Sequence, residues 1–410
     1  GKVWEEAHGD LLKVKEPLEL ACGAPSLMMG ESLMDTSSGY DTVLYREPVG
    51  VFAGISPFNF PGMIPMGWMV PLCIATGTTM IIKASSTTPM TSLRLLELLY
   101  EAGLPQGVVS VLTTGRDNAQ QLLTDPRIKG VCFVGTTGAG LKIYNTAAAH
   151  GKRVQALCEA KNHALVMEDA VLERTAKGII NSAFGCAGER CMALPVVVVQ
   201  EHIADQLVER LVALASQLKV GCAYDKTSQM GPVVSKQHQD SILGWIETGI
   251  REGAKLVLDG RGVQVPNCEN GYFIGPTILD HVTEKMTVGQ REIFGPVLCI
   301  KRVKTFEEGV ALINRNPFAN GAVIYTQNGY YARNFSQQID GGMVGVNVGI
   351  PVPVGMFPFS GHKQSFFGDL HTLGKDGIRF FTENKVVTST WFTEESNKQS
   401  VDTWDGSVGG

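Results

Sequence analysis

The sequence predicts an α/β protein built on two parallel-sheet regions, and three observations predict it. Short apolar runs alternate with stretches that repeat Leu at helical spacing, the pattern of parallel strands covered by helices. The chain has 410 residues, enough for two or three domains at roughly 150 residues each. Hydrophobic residues make up 44% and charged residues 18%, with 47 Gly and 19 Pro, which is a compact chain with many tight turns and not a disordered one.

After an amphipathic opening, residues 31–47 are polar with alternating Tyr, Val and Leu, which fits an extended arm or hairpin. From Pro48 to Ile82 no side chain is charged, a stretch that hydropathy alone would read as a membrane span. Pro48, Pro57, Pro61, Pro65 and Pro71 break any continuous helix there, so it reads as a buried part of a globular domain. TTMIIKAS (78–85) is a strand and TSLRLLELLYEAG (91–103) a helix with a Gly stop. A strand at 107–115, a helix near 117–124 and a strand at 129–135 continue the alternation. Residues 1–157 therefore read as one doubly wound domain.

A second α/β region, residues 158–360, begins with a helical pattern at 171–185. A strand at 195–200, helices at 203–217 and 235–252, a strand at 297–303, a helix at 305–314, a strand at 321–326, a helix at 328–338 and a strand at 343–347 follow. Residues 361–396 return with a strand-like run at 383–392, and the polar tail 397–410 reads as disordered.

Lys and Arg number 35 against 40 Asp and Glu, a net charge of -5 spread along the chain, so nucleic acid and anionic membranes are poor partners. Nine cysteines without a CxxC pair argue against a disulfide framework or a zinc module, and no metal is expected. The opening GKVWEEAHGD leads into no apolar signal region, so a cytoplasmic protein is expected, or a mitochondrial matrix protein in a eukaryote.

Chemistry is suggested at four places. Cys191, in FGCAGERCMALP, follows two glycines and adjoins Arg190, a cation that could lower a thiol pKa. A single Cys of nine is more often a small core residue, and local sequence does not separate Cys191 from Cys186. Asn59, in ISPFNFP, is either a turn residue bonded to its own backbone or an amide aimed at a developing oxyanion. Lys83 ends a buried strand and could reach a ribose or phosphate, although a lysine just past a strand is usually solvated. FVGTTGAG (133–140) is a Gly-rich turn from strand to helix, suited to a pyrophosphate at a helix N-terminus, although such turns recur without ligands.

In order along the chain, SPFNFP, the strand ending in Lys83, FVGTTGAG, GERC, EIFGPV (292–297) and PFSGHKQS (358–365) resemble the aldehyde dehydrogenase superfamily. The resemblance spans nearly the whole chain, although members usually extend about a hundred residues further at the N-terminus. It implies a Rossmann-type cofactor domain, a catalytic domain, and a small oligomerisation sheet from residues 31–47 and 383–392. It implies a Cys191 nucleophile, with Asn59 and the Cys191 N–H stabilising the oxyanion. It also implies an NAD cleft involving Ser56, Phe58, Lys83, Ser86, Thr87, Gly115, Gly135, Thr136, Cys158, Glu292 and Phe294. A homodimer or homotetramer is expected, since exposed arm strands need cover.

Most superfamily members carry ELGGK, whose glutamate activates water for deacylation. Here the run is LCEAK (157–161), with Leu157 in the glutamate position. With HGKRVQA, AKNH, GERCMAL, LMMGESL and VGVNVGIPVPVGMFPFSG, this resembles the methylmalonate-semialdehyde dehydrogenase branch, which passes its acyl group to coenzyme A. Malonate or methylmalonate semialdehyde would then be the substrate and acetyl-CoA or propionyl-CoA the product. Arg190, Lys13 and Phe60 are the expected substrate contacts, Lys13 standing where the branch has a second arginine. Ser86 replaces the acid usually found three residues after the cofactor lysine, which also admits NADP. Two other readings are a hydrolytic dehydrogenase using Glu159, which shares a strand face with Leu157, and a catalytically silent relative.

Overall fold

A computed structural model describes residues 1–391. Residues 392–410, including the tail expected to be disordered, lie outside the described residues. The arm is a hairpin of β1 (Ser32–Ser37) and β2 (Tyr40–Pro48). Five strands follow: β3 (Val51–Ile55), β4 (Thr79–Lys83), β5 (Val109–Leu112), β6 (Ile128–Val134) and β7 (Arg153–Leu157). The second region holds β8 (His163–Val166), β9 (Val196–Gln200), β10 (Lys255–Leu258), β11 (Thr277–Asp280) and β12 (Val297–Val303). It continues with β13 (Phe318–Ala319), β14 (Gly321–Tyr325) and β15 (Met343–Val346). The chain closes with β16 (His362–Lys363), β17 (Phe366–Gly368) and β18 (Thr382–Thr390).

The first large sheet runs β17-β7-β6-β3-β4-β5, parallel throughout except for β17, which returns antiparallel along β7. Strand order reverses on either side of β3, so the carboxyl ends of β3, β4 and β6 open the crevice in which doubly wound sheets hold ligands. The second sheet runs β10-β11-β12-β9-β8-β14-β15, with only β10 antiparallel. Strands β8, β9 and β14 are buried along their whole length, which is why they read as continuous apolar runs. The third sheet, β1-β2-β18, leaves Leu33, Met34, Tyr45 and Val386 exposed.

The uncharged stretch forms no continuous helix: it is buried and holds β3, two short helical pieces and β4. Residues Met63–Met69 form a wide π-type turn that passes into the helix Val70–Ala75. Pro71 is tolerated because it stands in the first turn. The start of the wide turn is held from outside the segment: buried Asp10, in the helix Trp4–Cys22, accepts from the amides of Gly62 at 3.2 Å and Met63 at 2.8 Å. Among the described residues, no helix is long and apolar enough to cross a membrane.

Candidate active site

Cys191 and Asn59 meet in one cleft. A cavity of about 340 Å³ is lined by both, together with Phe58, Gly135, Thr136, Cys158, Glu159, Glu292 and Phe294. The loops after β3 and β6 supply one wall. The loops that precede β8 and β9 supply the other, so the cleft lies between the carboxyl ends of the first sheet and the amino ends of the second.

Backbone geometry explains how the cysteine loop enters the cleft. Cys186 and Ala187 have φ of 51° and 52°, a left-handed turn that brings the chain out of the helix Leu172–Phe184. Gly188 has φ of 76°, and a Cβ there would stand 2.2 Å from the carbonyl oxygen of Gly295. Only glycine allows that approach. The two glycines before Cys191 each have a packing use: Gly188 seats the loop on Gly295, and Gly185 leaves room for the Arg190 guanidinium, which a Cβ would meet at 2.4 Å.

Asn59 is buried, and its Nδ2 donates to the carbonyl of Glu189 at 3.0 Å. That bond uses one of two amide hydrogens and ties Asn59 to the loop carrying Cys191. On the other side of the loop, Asn162 Nδ2 donates to the carbonyls of Cys191 at 2.9 Å and Ala193 at 2.8 Å, and Asn320 Nδ2 reaches Cys191 O at 3.4 Å. Sequence reasoning missed Asn162 and Asn320 as supports; Asn162 was present only inside the AKNH run.

The surroundings of Cys191 oppose ionisation of its sulfur in the ligand-free chain. Burial pushes this thiol up to about 12, the negative charge of Glu292 adds to the rise, and the amides of Cys191 and Met192 and the Arg190 charge oppose it only in part. In the ligand-free chain it is therefore a neutral thiol at pH 7. Arg190 is turned elsewhere. Its Nε donates to Cys186 Sγ at 3.2 Å and its Nη2 lies 3.3 Å from Glu6 Oε1, which also accepts from the Cys186 amide. The cation beside Cys191 in sequence serves Cys186 in space.

Glu292 faces the cleft with Oε1 accepting from the amide of Ala160 at 3.1 Å. Burial raises its carboxyl to about 8, and the charge of Glu159 adds to the effect. Phe58 and Phe294 meet edge to face with centroids 6.0 Å apart, and Phe294 is held at φ 58° with its carbonyl accepting from His238 Nε2 at 2.7 Å. Leu157 is buried in the core cluster against which Cys191 packs. Cys158 lines the cleft, but its sulfur is turned against Gly140 and its thiol is pushed up to about 12 by burial and by the charges of Glu159 and Glu292.

The remaining expected residues divide. Ser56 is buried, its amide donating to Lys83 O at 3.1 Å, and Lys83 lines a neighbouring cavity of about 470 Å³ with Ile55, Ala139 and Lys142. Thr87 lines a larger cavity of about 900 Å³ that also reaches Phe58 and Asn59. Ser86 and Gly115 are exposed, Gly115 at the start of the helix Arg116–Thr124. Phe60 lies under Lys2, whose Nζ is 3.6 Å from the ring centroid. Lys13 does not join Arg190: it stands on the solvent side of its helix, paired with Glu16 at 2.6 Å.

The pair of crevice cavities fits a dinucleotide. Lys83 and the start of the helix Thr137–Ala149 stand along them, and a Cβ at Gly138 would meet only open space, although the first amide of that helix is held by Glu159 at 2.8 Å.

A cysteine and a buried amide thus face one cavity at the crevice of a doubly wound sheet. Residues 1–387 match the aldehyde dehydrogenase family, and the chain belongs to it. It is 51% identical over 391 residues to malonate-semialdehyde dehydrogenase 2 of Geobacillus kaustophilus, covering 95% of this chain and 80% of that one. Among solved structures, a methylmalonate-semialdehyde dehydrogenase from Oceanimonas doudoroffii superposes with a TM-score of 0.95 at 45% identity, covering 97% of this chain and 82% of that one. A Sinorhizobium meliloti protein complexed with NAD, described as of the same kind, gives 0.95 at 44% identity, covering 96% of this chain and 80% of its own.

Proposed function

We propose that the protein is an NAD-dependent, CoA-acylating dehydrogenase that converts malonate or methylmalonate semialdehyde to acetyl-CoA or propionyl-CoA. The observation that carries the reading is the pairing of a cleft-facing Cys191 with a buried Leu157 where a deacylating base would stand. An isobutyl group cannot take a proton from water, so the acyl group needs a nucleophile that requires no activation at that place.

In this reading the Cys191 sulfur, once deprotonated, adds to the aldehyde carbon, and the carbonyl oxygen becomes an oxyanion between the free N–H of Asn59 and the backbone amide of Cys191. Bound NAD supplies the hydride acceptor. Glu292 and Lys83 would hold its riboses, Ser56, Phe58, Cys158 and Phe294 would line the nicotinamide end, and Gly135 and Thr136 would face the diphosphate. Ser86, Thr87 and Gly115 would border the adenosine end, and Ser86, in place of an acid, leaves NADP admissible. The substrate carboxylate departs as carbon dioxide, and the CoA sulfur displaces Cys191 from the thioester. Arg190 orients the substrate carboxylate after giving up Glu6. Phe60 and Lys13 would add to the substrate contacts only if they move, since Phe60 packs against Lys2 and Lys13 pairs with Glu16.

The same reading includes a homodimer or homotetramer that covers the exposed residues of β1-β2-β18, and a cytoplasmic location. A second reading has one observation behind it: Glu159 lines the cleft with Cys191, where it could serve hydrolysis. An NADH assay on semialdehydes with and without CoA separates the two. CoA-dependent steady turnover is expected, and an equal rate without CoA, abolished by Glu159→Gln, supports the hydrolytic enzyme.

A further inference from the structure

The helix Thr137–Ala149 begins without a side-chain cap: its N-cap residue, Thr136, makes no capping bond, and the Thr137 hydroxyl turns away to the carbonyl of Gln364 at 3.3 Å. Its first amide is taken instead by a residue from another part of the cleft. Thr137 N donates to Glu159 Oε2 at 2.8 Å. The turn that presents Glu159 is fixed from several sides. The Glu159 carbonyl accepts from Ser365 Oγ at 2.6 Å, the Cys158 amide donates to Ser365 O at 2.8 Å, and the Ala160 amide donates to Glu292 at 3.1 Å. A carboxylate is thus delivered from a rigid turn to the positive end of a helix dipole, beside Gly135 and Thr136 in the same cavity.

We infer that Glu159 sets the affinity for the dinucleotide, by holding in the ligand-free chain the anion seat that the cofactor diphosphate takes on binding. The inference rests on the cofactor cleft assigned above. One amide at the helix start cannot serve both anions, so the diphosphate must first displace the carboxylate. After displacement, the carboxylate remains tethered nearby and repels a doubly charged group. Ligands that enter the same cleft without a diphosphate do not meet this competition.

The test is calorimetric titration of the full chain and of Glu159→Ala and Glu159→Gln with NAD, ADP-ribose and adenosine. Tightening of about tenfold is expected for NAD and ADP-ribose with Glu159→Ala, from the usual worth of an anion at a helix N-terminus. Glu159→Gln should fall between it and the parent, since an amide keeps the bond and loses the charge, and adenosine binding should stay unchanged. Equal or weaker ADP-ribose binding by both variants, with NAD still bound, overturns the inference alone. Failure of the parent and both variants to bind NAD or ADP-ribose overturns the cleft assignment and the inference with it. Thermal unfolding of the variants separates a misfolded protein from a true loss of binding.

Discussion

Asn162 fixes the backbone of Cys191 from behind: one amide nitrogen donates to the carbonyls of Cys191 and Ala193 at 2.9 and 2.8 Å, while its Oδ1 accepts from the Gly321 amide at 2.9 Å. A buried side chain with three bonds joins the Cys191 loop to β14. Asn162→Ala should cost about 2 kcal/mol of stability from unmatched buried carbonyls. It should also lower kcat by about 10²-fold through a misplaced sulfur, with a smaller change in KM. Steady-state kinetics with a melting curve checks both, and unchanged kcat would contradict the role.

Asn59 offers the cleft one amide hydrogen while the other is committed to Glu189 O. Asn59→Ala should reduce kcat by about 10²- to 10³-fold, the usual cost of removing an oxyanion donor. Alkylation of Cys191 should survive in this variant, which separates loss of the donor from loss of the loop.

The thiol of Cys191, pushed up to about 12 in the ligand-free chain, makes a kinetic prediction. Its iodoacetamide alkylation should climb about tenfold per pH unit from pH 7 to 9 without a plateau, because the thiolate is the reacting form. A plateau below pH 8 would place the cation of Arg190 nearer to Cys191 than to Cys186. Cys186 is buried and should be modified more slowly throughout.

Two acids should make the fold weaker in base. Burial raises Glu189 and Glu292 from an ordinary value of 4.5 to about 8. Between those pH values the unfolded chain binds fewer protons than the folded one, so stability falls as pH rises and levels off above about pH 8. The melting temperature should therefore drop from pH 5.5 to 8.5, and Glu189→Gln should shrink the drop. A flat profile in the parent protein would contradict both shifts.

What the sequence revealed was what a short window encodes. The strand at 297–303 has the expected bounds, and the helices Leu172–Phe184, Lys236–Arg251 and Phe306–Asn314 lie within two residues of theirs, because their apolar spacing is local. Asn59 and Cys191 were chosen as a pair by family resemblance, and they do share a cleft. Partners distant in sequence were not legible. Glu189, which binds Asn59, lies 130 residues away, and Asp10 holds the turn at Met63 from 53 residues away. The contacts of Arg190 were hidden for the same reason: Glu6, 184 residues before it, draws the guanidinium toward Cys186. Lys13 was placed by alignment without knowing which face of its helix meets solvent.

The central claim is that Cys191 carries an acyl group that CoA removes and water does not. It is tested most directly by quenching a single turnover of malonate semialdehyde with NAD and weighing the intact chain. Without CoA, one acyl adduct per chain should persist on Cys191 after NADH release, and added CoA should clear it with formation of acetyl-CoA. An adduct that decays equally fast without CoA, or that never forms on Cys191, would contradict the account.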